Sequence, residues 1–233
     1  MSGDIAKFNA AQAALDYVKD GMVVGLGTGS TSAHFVRQLG ERVRQGLRVK
    51  GVPTSEATRN LAEQVGVPLL EISQVSSLDL DVDGADEVDP AFRLIKGGGG
   101  ALLREKIVAA ASKQMVVIAD ESKWVETLGE FPLPVEVTRF GFALVQQRVT
   151  EALRATGCAS HEAVLRVSGK ANEPVITDGG NYILDAHAKR IPDPEKLGAA
   201  LKDIAGVVEH GLFIGLSHVV IIGKAKGAEV KTL

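Results

Sequence analysis

The strongest constraint on this chain is an alternation that runs from its start down to Leu70: a stretch with helical spacing, then an apolar run too short to be a helix, repeated. Residues 5–20 place Phe8, Ala11, Leu15 and Val18 on one helical face, and Gly21 follows where a left-handed residue is wanted. Met22-Val23-Val24-Gly25-Leu26 then reads as a buried strand. Ser30 or Thr31 can cap a second helix with Ala33, Val36 and Leu39 inward, and Thr54 or Ser55 opens a third with Ala57, Leu61 and Val65, ended by Gly66. Pro68-Leu69-Leu70 reads as another short strand. A content of 45% hydrophobic but only 4% aromatic residues suits buried parallel strands under Ala-rich helices. The expected class is α/β: a Rossmann-like doubly wound sheet, with ligands beyond the strand C-termini.

Those C-termini carry the unusual residues. Gly27-Thr28-Gly29-Ser30-Thr31 joins a strand to a helix N-terminus, where free amides, the helix dipole and hydroxyl donors suit a phosphate. Gly25, Gly27 and Gly29 invite comparison with the dinucleotide fingerprint, but Ser30 stands at the third glycine and no acidic residue closes the second strand. Arg48-Val49-Lys50 stands there, which could meet a 2′-phosphate and leaves room for NADP, and a tight turn without any ligand is a further reading. Residues 78–83 alternate Leu, Asp, Leu, Asp, Val, Asp, the period of a strand with one buried face. They lead into Asp83-Gly84-Ala85-Asp86-Glu87-Val88-Asp89, readable as an acidic turn, as a calcium loop lacking the spacing of an EF-hand, or as paired carboxylates at a strand tip, one donating and one accepting a proton.

Lys96 precedes Gly97-Gly98-Gly99-Gly100, whose bare amides can approach a ligand, and Glu105 follows in a helix carrying Leu102, Leu103, Ile107 and Val108. The plainer readings are a flexible linker and a solvated helical Glu. Residues 115–120 form a further buried strand and bring Lys123 to its tip.

Beyond Leu128 the rhythm changes. A strand from Val135, a helix over 142–155, a hairpin of residues 174–177 with 182–185 around Asp178-Gly179-Gly180-Asn181, and a helix from Pro194 suggest a small α+β, ferredoxin-like domain. Residues 207–213 and 219–223 are expected to rejoin the first sheet. The division is then 1–130 with 206–233 as the Rossmann-like domain, and 131–205 as an inserted domain. Lys224, Lys226 and Lys231 read as a solvated tail. A net charge of -3 offers no footprint for nucleic acid or anionic membrane, and no apolar stretch is long enough to span a bilayer. Cys158 is alone, and the five histidines show no metal spacing. A serine-hydrolase elbow and a Walker A motif are both absent. The expected location is the cytoplasm.

Taken together, the segments 27–31, 83–89 and 96–106 resemble, in order and spacing, ribose-5-phosphate isomerase of type A, and the likeness extends over nearly the whole chain. The resemblance implies interconversion of D-ribose 5-phosphate and D-ribulose 5-phosphate in the non-oxidative pentose phosphate pathway, without metal or nucleotide, by homodimers or homotetramers. It implies Glu105 as general base and Asp83 and Asp86 as paired carboxylates in ring opening and proton handling, and the chemistry itself asks for a positive or protonated group at the developing oxyanion, which Lys96 and a protonated Asp can supply. The resemblance assigns substrate contacts to Thr28, Gly29, Ser30, Thr31, Asp83, Gly84, Ala85, Asp86, Lys96, Gly97, Gly98, Gly99 and Lys123. A sugar-phosphate sensor would keep the phosphate seat but has no use for the three carboxylates together. An NADP-dependent oxidoreductase would need a nucleotide seat, and the motif match favours this family over a related sugar-phosphate isomerase or a deaminase acting on an amino sugar.

Overall fold

The structure is a computed structural model, and it describes residues 2–169 and 172–233. Cα packing divides the chain into two units. One comprises residues up to Ala85 with Arg104–Trp124 and Gly215–Leu233, and the other Asp86–Leu103 with Val125–Ile214. The expected small domain, 131–205, lies inside the second unit.

The first unit is built on a six-stranded sheet ordered Gly227–Thr232, Val219–Lys224, Met115–Asp120, Leu80–Gly84, Val23–Leu26, Lys50–Pro53, parallel except for the first-named edge strand. The strand expected at residues 68–70 shrinks to a single parallel bridge from Leu69 to Gly51. With that bridge counted, the parallel order is that of a Rossmann sheet, and it reverses between Val23–Leu26 and Leu80–Gly84. Helices Ser2–Ala14 and Ser30–Arg44 cover one face, where Ala10, Ala14, Phe35 and Leu39 pack on Val24, Leu80 and Val82. Val108 of helix Leu102–Ala111 packs on the other face.

The first helix corrects its expected face. Ala6, Ala10 and Ala14 are buried, while Phe8 is 44% exposed and packs edge-on against His34. The cause is close approach: a Cβ on Gly223 would lie 1.9 Å from the Ala6 carbonyl oxygen, so only small side chains fit between helix and strand. The α-helix also ends at Ala14, and a 3-10 turn covers Leu15–Tyr17.

In the second unit the strands Val207–His210, Leu133–Val137, Tyr182–His187 and Glu162–Leu165 form an antiparallel sheet in that spatial order. Helices Phe142–Ala155 and Pro194–Lys202 pack on it through Val149, Leu153, Leu197 and Leu201. The chain order βαββαβ with this strand order is the ferredoxin-like arrangement. Two expectations change here. Residues 207–213 do not rejoin the first sheet: Val207–His210 pairs with Leu133–Val137, and Leu212–Phe213 pairs with Leu94–Ile95, which also pairs with Glu87–Val88. The hairpin around residues 178–181 is only a turn closed by Thr177 N–H on the Asn181 carbonyl, because Tyr182–His187 takes Leu133–Val137 and Glu162–Leu165 as its neighbours. Among the described residues, no helix is long and apolar enough to cross a membrane.

Candidate active site

In the first unit the site residues gather where the strand order reverses. Leu26 ends its strand and the chain turns through Gly27-Thr28-Gly29 into the helix at Ser30. Gly29 has φ 116°, a conformation open to glycine and few others, and it leaves Ser30 exposed at the helix start with its amide free of any helical acceptor. Asp83, fully buried at the end of Leu80–Gly84, accepts from Thr28 N–H at 3.0 Å, Gly84 N–H at 2.7 Å and Ser32 Oγ at 3.3 Å, all on Oδ1. Ser32 in turn accepts from Gly84 N–H at 3.1 Å. The Asp83 carboxyl is thereby held in one orientation beneath the loop. Gly84 and Ala85 follow it half-buried.

Two features of this loop have no motif in the sequence. Thr28 Oγ1 lies 2.8 Å from both Thr54 Oγ1 and Ser55 Oγ and 3.2 Å from Thr58 Oγ1, so a cluster of hydroxyls from the next strand and helix braces it. Ser55 is also the cap of that helix, accepting Thr58 N–H at 3.1 Å. Lys7 Nζ, from the first helix, donates to Ser30 Oγ at 3.0 Å and brings a cation to the helix N-terminus. The sequence marks Thr54 and Ser55 only as helix-start residues, and nothing local in it marks the hydroxyl cluster or Lys7.

The alternation of residues 78–83 has a different meaning from the expected one. Asp81 and Asp83 share a sheet face, and both are fully buried, because that face is covered rather than wet. A Cβ on Gly25 would lie 2.5 Å from Asp81 Oδ1 and 2.5 Å from Val108 Cγ1, so Asp81 lies against the helix that carries Glu105. Glu105 stands one turn before Val108 and is only 3% exposed, which removes the solvated reading. Its neighbour Arg104 turns outward to Glu56 at 2.7 Å, and that hydrogen bond holds the Glu56 carboxyl below its ordinary range. Lys123 sits half-buried in a short turn after Met115–Asp120, where the Asp120 side chain caps Ser122 N–H at 3.0 Å.

The second unit holds the other candidates. Asp86 accepts Gly98 N–H on Oδ2 at 2.7 Å, and its own N–H donates to the Ile95 carbonyl. A Cβ on Gly98 would lie 2.6 Å from Asp86 Oδ1, so a side chain there would push the carboxylate out of this contact. Gly97 and Gly100 have φ of 104° and 81°, and Gly100 N–H closes the turn on the Gly97 carbonyl at 3.0 Å. Gly98 and Gly99 are left at the surface. The run is thus an ordered turn and not a linker. Lys96 is 2% exposed, its backbone held by the Gly211 carbonyl and its Nζ 5.4 Å from the centre of the Phe213 ring.

The remaining acids of the motif are structural. Glu87 accepts Gly129 N–H at 2.7 Å and Phe131 N–H at 2.6 Å, while Asp89 takes Ala91 and Arg93 N–H and the Arg93 guanidinium. Engaged with protein donors, they do not form the calcium loop that the sequence left open. Among the described residues no group of three His, Cys, Asp or Glu side chains could hold a metal ion.

A Rossmann-like sheet with amides, hydroxyls and a lysine at its switch point, and with carboxyls buried at the strand ends, is an arrangement suited to a phosphorylated small molecule. The profile of ribose 5-phosphate isomerase A (phosphoriboisomerase A) matches residues 50–227. The ribose-5-phosphate isomerase A of Maricaulis maris is 56% identical over 96% of each chain, and that of Afipia carboxidovorans 58% identical over 99% of this chain and 97% of its own. Among solved structures, ribose 5-phosphate isomerase A from Methanocaldococcus jannaschii aligns with a TM-score of 0.89 at 42% identity over 98% of both chains. A D-ribose-5-phosphate isomerase in complex with phospho-erythronic acid aligns at 0.92 and 39% identity over the whole of both. The chain belongs to the ribose-5-phosphate isomerase A family.

Proposed function

We propose that this chain carries out its family's reaction with Glu105 as the base. The reaction interconverts D-ribose 5-phosphate and D-ribulose 5-phosphate through an enediolate, in the pentose phosphate pathway. In the aldose-to-ketose direction Glu105 takes the proton from C2 and returns it to C1, while O1 gains a proton and O2 loses one. Asp83 and Asp86 handle ring opening and the two oxygen protons, and Lys96 stabilises the negative charge that develops on oxygen. Thr28, Gly29, Ser30 and Thr31 receive the phosphate with Lys7 beside them. Gly84, Ala85, Gly97, Gly98, Gly99 and Lys123 complete the substrate contacts. Binding energy from the phosphate, remote from the reacting carbons, fixes the sugar's orientation.

The observation that carries this reading is the burial of Glu105, 3% exposed in the first turn of the helix that follows the glycine run. A carboxylate kept from water on a rigid element is suited to proton abstraction, and a merely structural surface Glu is not so placed. We infer also that the enzyme works in the cytoplasm as a homodimer or homotetramer, with no metal, nucleotide, nucleic acid or membrane partner. The apolar side chains of Phe140 and Leu144, 94% and 69% exposed, support an assembly that covers them. The direct test mixes chelator-treated protein with ribose 5-phosphate and follows the ketopentose. Product formation is expected, and a folded protein that makes none would sink the proposal.

A further inference from the structure

We propose that Arg166 is a positioning residue that acts on Asp86 through a single peptide group. Arg166 follows the strand Glu162–Leu165, and its guanidinium makes a two-point contact with Asp185: Nε to Oδ2 at 2.9 Å and Nη2 to Oδ1 at 2.5 Å. Both side chains are largely buried, at 15% and 21% exposed, so the guanidinium plane is held and its charge is weakly screened. The remaining nitrogen, Nη1, donates to the Gly97 carbonyl at 2.9 Å and to the Gly98 carbonyl at 3.2 Å.

The Gly97 carbonyl and the Gly98 N–H belong to the same peptide plane, which is trans, so they point in opposite directions. On the far side of that plane Gly98 N–H donates to Asp86 Oδ2 at 2.7 Å. A cation on the carbonyl and a carboxylate on the N–H polarise the intervening amide in the same sense, and each strengthens the other. Glycines do not hold this geometry by themselves, since Gly97 and Gly98 carry no side chains to restrict their torsions. Gly100 N–H holds the Gly97 carbonyl at 3.0 Å, Arg166 adds a charged side-chain restraint on the same oxygen, and Asp185 fixes Arg166. Asp86 is thereby kept at the orientation its proton-handling role requires.

The inference rests on the reading of Asp86 given above, and the experiment separates the two. Steady-state kinetics with ribose 5-phosphate are measured for Arg166→Ala, Arg166→Lys, Asp86→Asn and the double variant Asp86→Asn/Arg166→Ala, each with a thermal melt. Arg166→Ala is expected to lower kcat by about 10- to 100-fold with KM within about threefold, and Arg166→Lys to recover part of the loss. In the Asp86→Asn background, Arg166→Ala should cost less than about a further twofold, since the residue it acts through has already been changed. Folded Arg166 variants with parental kcat, or losses that multiply in the double variant, would overturn the proposal. Should Arg166→Ala fail to fold, Arg166→Lys is judged by kcat alone: a decrease supports the relay, and parental turnover rejects it. Full turnover by Asp86→Asn would remove Asp86 from its role and this proposal with it, whereas an impaired Asp86→Asn beside unimpaired Arg166 variants would reject the relay alone.

Discussion

Thr28 N–H donates to Asp83 Oδ1 at 3.0 Å, joining residues 55 apart in the chain at the point where the strand order reverses. The contact ties the loop that begins a helix to the carboxyl that ends the neighbouring strand. It requires the intervening backbone to come very close to Asp83, and Gly27 permits that.

Gly27→Ala should therefore be severe. Its Cβ would lie 2.0 Å from Asp83 Oδ1 and 2.6 Å from the Asp83 Cα, and backbone on both sides cannot yield cheaply. A loss of about 1–3 kcal/mol is expected, the usual range for an overpacked core, read from urea denaturation. Activity should fall as well, because the displaced carboxyl is one proposed above to handle protons.

Glu105→Gln keeps the shape of the side chain and removes its basicity. Turnover should fall by roughly 10²–10⁴, with KM for ribose 5-phosphate within a few fold. Unchanged turnover would take Glu105 out of the mechanism.

Lys7→Met tests the contact at the helix start. Lys7 Nζ reaches Ser30 Oγ at 3.0 Å, at the N-terminus read here as the phosphate seat. If the lysine serves that seat, its loss should raise KM by about tenfold, the scale of one charge-assisted hydrogen bond, and leave kcat nearly unchanged. A KM equal to that of the parent would place Lys7 outside the binding site.

Glu229 offers a titration that is independent of the chemistry. Hydrogen bonds from Lys224 at 2.8 Å and Lys231 at 2.6 Å lower its pKa from 4.5 to about 2. A depressed carboxylate stabilises the fold above its unfolded value and ceases to do so as pH falls through the folded value, so this contribution fades between pH 4.5 and about 2. Side-chain NMR should find the midpoint near the lower figure, and Lys231→Ala should move it upward. A midpoint at the ordinary value would mean that the two lysines are solvated in solution.

Much of the fold was legible because local patterns coincide with it. The helix expected over 142–155 is found as Phe142–Ala155, Gly66 caps its helix in the left-handed conformation, and the strand at Met115–Asp120 is where its apolar run stands. Misreadings arose where a neighbour distant in sequence decides. Which strand Val207–His210 joins, and that Phe8 faces outward while alanines pack inward, depend on partners that no window of sequence contains. The three-lysine tail is likewise partly an edge strand with paired charges.

The sequence by itself determined the order of short strands and helices, the glycine turns, and the residue types that mark an isomerase of this family, because these are encoded in spacing and in the absence or presence of side chains. Only the tertiary structure decided that Asp81 and Glu105 are buried, that hydroxyls of Thr54, Ser55 and Thr58 surround Thr28, and that Arg166 grips the glycine turn. Burial and hydrogen-bond partnership are properties of the surroundings of a residue, and in this chain those surroundings are assembled from segments tens of residues apart.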